Sequence, residues 1–182
     1  MSELDYKYYF GICDQIATQS KCLSRKIGSL LLSPDKTILG TGFNGPPRGV
    51  SHCDSPERLD WLVENLKKHK SGAIRDYLLE HKYGEICPRQ IIGFKSGEGL
   101  WVCPAAHSER NTLINSAREG VRTKGCTLIM NCPLPCAECS KEIINSGVIR
   151  IICTSGPDYD TGSRWLLEQA KIEITQINLG EI

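Results

Sequence analysis

Residues 107–154, HSERNTLINSAREGVRTKGCTLIMNCPLPCAECSKEIINSGVIRIICT, alternate twice between a helical and an extended pattern. Over 108–118 the apolar Leu113, Ile114 and Ala117 share one helical face, and Gly120 stands just past the end. The run 126–131 is apolar and of strand length. A second helix is predicted over 136–145, with Pro135 ahead of it and Gly147 closing it, followed by a strand over 148–154. Such alternation favours parallel strands with helices packed on both faces. The predicted fold is therefore a three-layer α/β/α domain, with its functional site at strand ends.

Outward from this stretch, an amphipathic helix is predicted over 6–19 and an antiparallel hairpin over 27–33 and 37–43, turning at Ser33, Pro34 and Asp35. A helix near 164–170 and a strand over 171–177 complete a mixed five-stranded sheet. Between hairpin and first quoted helix come the loop 44–49, two helices over 56–70 and 74–82, and an irregular Gly-rich stretch over 84–99. The reading is one domain over 1–182, interrupted by an insert at about 54–102.

Composition narrows the partners. Lys and Arg number 22 against 21 Asp and Glu, so a net charge of +1 offers no broad basic surface for a nucleic acid backbone and favours a small-molecule substrate. Residues 1–10 hold acids and tyrosines rather than a basic apolar leader, and no run long enough to span a membrane occurs, which predicts a cytosolic protein. In that compartment ten cysteines read as reduced thiols and metal ligands rather than disulfides.

His107, Glu109, Cys136 and Cys139 carry the chemistry. An imidazole and two thiolates supply three ligands to a zinc ion that prefers four, which leaves a corner for water. Zinc lowers the pKa of such a water from 15.7 to about 7, and a carboxylate two positions past the histidine can take its proton. Each cysteine opens or lies within the first turn of a helix, where partial positive charge favours thiolate, and their three-residue spacing sets both sulfurs on one face. Alone, P-C-x-x-C also fits a redox pair or half of a structural zinc site, and H-x-E is frequent by chance. In this order the two halves resemble the zinc deaminases of nucleobases.

Further residues extend the resemblance to most of the chain. Ser20-Lys21-Cys22 before Ile27-Gly28-Ser29, then Gly42-Phe43-Asn44-Gly45 with Pro47 and Gly49, then His52-Cys53-Asp54, are similar to the dCMP deaminase branch of the zinc-dependent cytidine and deoxycytidylate deaminase family, as found in bacteria and phages. The resemblance implies a cytidine-deaminase-like fold, hydrolysis of dCMP to dUMP and ammonia for thymidylate synthesis, and a homohexamer in the cytoplasm, the host's if a phage encodes the chain. Members are activated by dCTP with Mg2+ and inhibited by dTTP. It implies zinc on His107, Cys136 and Cys139, with Glu109 as proton shuttle. Asn44 would bind the sugar hydroxyl, while the backbone around Ser108 and Leu134 and the ring of Tyr159 would face the nucleotide. The alternatives are a left-handed turn residue for Asn44 and a packing aromatic for Tyr159.

Cys22 and Cys53 match positions that some relatives use for a structural zinc, which Cys87 and Cys103 would complete here, with His52 or His81 as substitutes. The alternative is that these four are buried free cysteines. Lys21, Arg25, Gly42, Phe43, Gly45 and Arg48 resemble effector contacts, although solvated basic residues explain Lys21, Arg25 and Arg48 as well. Two departures stand out, since the family usually has Ala at Ser108 and Tyr at Phe43. A nucleic-acid editing deaminase of the tRNA adenosine type and a noncatalytic zinc module are the competing readings. The near-neutral charge opposes the first and Glu109 the second.

Overall fold

The computed structural model describes residues 2–66, 74–95 and 97–180. Helix α1 (Glu3–Ala17) is followed by strands β1 (Gly28–Leu32) and β2 (Ile38–Phe43), then helices α2 (Pro56–Leu66), α3 (Ile74–Glu80) and α4 (Pro88–Ile91) and a 3-10 turn at Leu100–Val102. Helix α5 (Ser108–Arg118), β3 (Thr127–Met130), α6 (Ala137–Asn145), β4 (Arg150–Thr154), α7 (Thr161–Gln169) and β5 (Glu173–Ile177) complete the order. These elements form two compact units, Met1–Ser20 with Ile27–Asn44 and His107–Ile182, and Lys21–Lys26 with Gly45–Ala106.

In the first unit the strands lie in the order β2-β1-β3-β4-β5. Strand β1 runs antiparallel to both β2 and β3, whereas β3, β4 and β5 are parallel, so the sheet is mixed as expected. Strand residues alternate between two cores, as the two-residue period of a pleated strand requires. Leu30, Leu32, Ile129 and Ile152 pack with Tyr9, Phe10 and Cys13 of α1. Leu31, Leu128, Met130, Ile151 and Cys153 pack with Leu113 of α5, Ile143 of α6 and Leu167 of α7. The layers are therefore α1, the sheet, and α5 to α7.

Helix α5 is held close to β2. A Cβ at Gly42 would stand 2.4 Å from the backbone nitrogen of Thr112, so only glycine permits this approach. The amides of Asn111 and Asn115 donate to the carbonyls of Phe43 and Thr41 at 2.7 and 3.0 Å, and the buried hydroxyls of Thr112 and Ser29 lie 2.7 Å apart. Apolar packing and polar ties together fix where the start of α5 lies.

The second unit has its own core of Leu59, Leu62, Val63, Leu66, Ile74, Leu78, Ile91 and Val102. The Arg58 guanidinium lies 4.0 Å over the Trp61 ring and donates to the Val102 carbonyl. Tyr83 Oη donates to the Ser55 carbonyl at 2.9 Å, and reciprocal backbone bonds between Gly45 and Ala106 join the unit's chain ends.

Several boundaries differ from expectation. The second unit runs over 45–106 and takes in 21–26, wider than the expected 54–102. Helix α1 starts at Glu3 because Ser2 and Asp5 form a reciprocal capping box. Helix α7 starts at Thr161, three residues early, because the Asp160 carboxylate caps it. Within the stretch expected to be irregular, Pro88 at the first helical position starts α4. Residues 67–70 of the expected helix over 56–70 lie outside the described residues. Among the described residues, no helix is long and apolar enough to cross a membrane.

Candidate active site

Two helix N-caps build the site. His107 is the N-cap of α5 and Cys136 that of α6, and neither side chain makes a cap bond to its own helix. They turn to each other instead. His107 Nδ1 lies 3.5 Å from Cys136 Sγ and 3.4 Å from Cys139 Sγ. Among the described residues these three form the group of ligand atoms that lie within 4.8 Å of one another. A tetrahedral zinc, with Zn–S about 2.3 Å and Zn–N about 2.0 Å, sets nitrogen and sulfur roughly 3.5 Å apart, so the donor set fits that ion.

The thiols differ in acidity. The Cys136 thiol is held well below its ordinary value, first by the hydrogen bond with Cys139 and then by His107. Cys139, as the partner that keeps its proton, is pushed up by that bond and by burial. His107 is raised by its bond to Cys136, with the Glu109 charge adding to it. Zinc held here would take both sulfurs as thiolates, so Cys139 would give up its proton on binding.

Glu109 is 4% exposed, beside this group but not among its ligand atoms. Ser108, completely buried, donates from Oγ to Glu109 Oε2 at 2.9 Å. Family resemblance assigned Ser108 a backbone role; its hydroxyl as a carboxylate partner was missed. A bidentate pair between Arg110 and Glu142, both contacts 2.8 Å, joins α5 to α6 and was also missed. It brings a positive charge toward the two sulfurs. The charges in R-N-T-L and K-E-I-I signalled it only as helix surface residues.

The other expected residues fall as follows. The Tyr159 ring stands edge-on to His107, centroids 6.3 Å apart. Asn44 is buried, and its Oδ1 accepts from the Ile27 N–H at 2.8 Å. Left-handed backbone occurs among described non-glycine residues at Lys36, Lys82 and Lys171, and not at Asn44. Leu134 is buried in the core against α5 to α7. Cys22, Cys53, Cys87 and Cys103 all belong to the second unit. Burial pushes the Cys53 thiol up to about 12, and the nearby Cys103, Cys87 and Cys22 add to the push. His81 is exposed and stacks on Tyr77. Of the residues expected to contact an effector, Gly42 and Phe43 belong to the first unit, and Lys21, Arg25, Gly45 and Arg48 to the second. Cys13, Cys126 and Cys153 are buried, and Cys132 is partly buried.

Residues 4–155 match the sequence pattern of the family described as cytidine and deoxycytidylate deaminase zinc-binding region. The chain belongs to the cytidine and deoxycytidylate deaminase family. Membership makes it a deaminase and makes zinc the ion of its binding region. The deoxycytidylate deaminase of Mycobacterium phage D29 is 30% identical over 154 residues, spanning 84% of this chain and 96% of that protein. That of Enterobacteria phage T4 is 28% identical over 167 residues, spanning 89% and 84%. The Schizosaccharomyces pombe deoxycytidylate deaminase is 24% identical over 169 residues, of which the chain spans 42% of the length. The dCMP deaminase of cyanophage S-TIM5, solved with dCMP and dUMP, shares the fold with a TM-score of 0.64 at 20% identity, covering 97% of this chain and 99% of that one.

Proposed function

We propose that the chain converts dCMP and water to dUMP and ammonia, with His107, Cys136 and Cys139 holding zinc and Glu109 carrying protons. The observation that bears most weight is a buried carboxylate next to a three-donor metal group to which it does not itself belong. Similarity over 84–89% of this chain to phage enzymes named deoxycytidylate deaminase supports the substrate.

Bound zinc supplies Lewis-acid activation of the attacking water. Glu109 takes the proton that this water releases and passes it to the pyrimidine nitrogen beside the attacked carbon; it then takes the proton of the hydroxyl added to that carbon and gives it to the amino group, which leaves as ammonia as the C–N bond breaks and the C=O bond forms. Ser108 donates to Oε2 of Glu109 and orients the carboxylate for this exchange. Asn44, oriented by the Ile27 N–H, would receive a sugar hydroxyl, while Ser108 and Leu134 backbone and the Tyr159 ring would border the nucleotide.

Finer parts of the reading belong to the proposal. Cys22, Cys53, Cys87 and Cys103 would close a second, structural zinc site; their mutual influence within one unit supports it. On this reading the second unit is an insert in a single deaminase domain. Regulation by dCTP with Mg2+ and by dTTP, through Lys21, Arg25, Gly42, Phe43, Gly45 and Arg48, would follow the family, as would a homohexamer that supplies dUMP for thymidylate in the cytoplasm. Phe43 stands where the family usually has Tyr, so any effector contact there would lack that hydroxyl.

Zinc content and ammonia release are measured with dCMP, CMP, deoxycytidine and dCTP, with and without dCTP or dTTP as effector. Turnover confined to dCMP with zinc present supports the reading. Release from deoxycytidine alone overturns the phosphate requirement, and absence of metal overturns the mechanism.

A further inference from the structure

An N-cap normally has Ser, Thr, Asp or Asn, whose oxygen meets the first free N–H groups of the helix. Cys136 occupies that place in α6, but its sulfur points at His107 and leaves the cap bond unmade. The missing acceptor comes from another element. Asp160 Oδ2 accepts from the N–H of Ala137, the residue after Cys136, at 2.7 Å. Its second oxygen, Oδ1, accepts from Gly162 N–H at 3.1 Å and Ser163 N–H at 2.8 Å, which caps α7.

Ser163 extends the link. Its Oγ donates to the Pro135 carbonyl at 2.5 Å and lies 3.0 Å from Ser140 Oγ, which in turn is 3.0 Å from the Cys136 carbonyl. Both serines are fully buried, so water does not replace these bonds. Three successive residues, Pro135, Cys136 and Ala137, are thereby tied to the start of α7.

We infer that Asp160 is a positioning residue for the metal centre: its carboxylate joins the N-termini of α6 and α7 and holds the turn bearing Cys136 where both sulfurs meet His107. The inference rests on the proposed ligand role of Cys136 and Cys139. Partners that orient metal ligands in this way typically contribute about 10–100-fold to metal affinity.

Asp160→Asn separates this role from helix capping. Asparagine caps a helix as well as aspartate does, so its Oδ1 retains the bonds to Gly162 and Ser163. Its NH2, however, would face the Ala137 N–H, donor against donor. Asp160→Ser is the second variant, since serine also caps α7 but has no second oxygen to reach Ala137.

For the full chain and both variants, zinc affinity is measured by chelator competition, with His107→Ala marking which zinc belongs to this centre. Cobalt is then substituted, and its visible absorption reports ligand geometry. The expected result is a zinc affinity about 10–100-fold weaker in both variants and a shifted cobalt spectrum. Wild-type affinity and an unchanged spectrum in both variants overturn the inference alone, whatever their thermal stability. A wild type that takes no zinc sensitive to His107→Ala overturns the functional reading and the inference together.

Discussion

A methyl group at Gly42 would test how the sheet positions the site. In Gly42→Ala the new Cβ would stand 2.4 Å from Thr112 N, 2.6 Å from Thr112 Oγ1 and 2.8 Å from the Asn111 carbonyl carbon. Ordinary contact is about 3.5 Å, and the nearest atom is backbone, so α5 must retreat from β2 by roughly 1 Å. Such overpacking is destabilising by about 1–3 kcal/mol, offset by about 0.4–1 kcal/mol from stiffening the unfolded chain. Near the upper end the net loss is about 2 kcal/mol, which lowers Tm by about 4–8 °C for a chain of this size. The same retreat carries His107 and Glu109, and a 1 Å misplacement in a site lowers turnover by about 100-fold.

Gly40→Ala is the control. There the nearest atom is Ser116 Oγ at 2.2 Å and the next is 3.5 Å away. The hydroxyl can rotate aside, giving up its 2.9 Å bond to the Thr112 carbonyl, a loss of about 0.5–1.5 kcal/mol. Thermal unfolding and ammonia release from dCMP should therefore leave Gly40→Ala close to wild type and Gly42→Ala well below it. Equal stability and activity in the two variants would refute the argument that backbone contact at Gly42 sets the place of α5.

Glu109→Gln keeps an acceptor for the Ser108 hydroxyl and should retain zinc while kcat drops by about 10²–10⁴-fold, or roughly 3–5.5 kcal/mol of barrier; undiminished turnover in steady-state assays removes the proton-shuttle role. Cys53→Ser should lower zinc from two ions per chain to one by elemental analysis, and an unchanged count removes the second site. Burial raises the Cys13 and Cys153 thiols from 9.0 to about 12, so each binds its proton more tightly folded than unfolded. The stability they contribute is fully present below 9.0 and is lost as pH rises toward about 12. Thermal unfolding from pH 8 to 11 should show a shallower decline in Cys13→Ala than in wild type, and parallel slopes would contradict the sign.

The stretch that opens the fold was legible because its signals are local. Leu113 and its face, the apolar run ending at Met130, Pro135 and Gly147 each act within one turn or strand, so α5, β3, α6 and β4 could be read within one or two residues. His107, Glu109, Cys136 and Cys139 were legible because metal chemistry constrains residue type and short spacing. The start of α7 lies ahead of the expected 164 because Asp160 caps it, and whether an aspartate caps a helix depends on backbone geometry as well as on residue type. The width of the second unit, with 21–26 inside it, had no local signal at all.

By itself, then, the sequence determined the alternation of elements, the donor types that fit zinc and the presence of a carboxylate close to them in the chain, since periodicity and ligand chemistry are properties of neighbouring residues. Only the tertiary structure decided that Nδ1 of His107 faces the two sulfurs, that the Ser108 hydroxyl holds Oε2 of Glu109, and that Asp160 caps two helices at once. Those facts depend on side-chain rotamers and on the approach of segments more than twenty residues apart, and that approach is set by close packing such as Gly42 against Thr112, which no local pattern encodes.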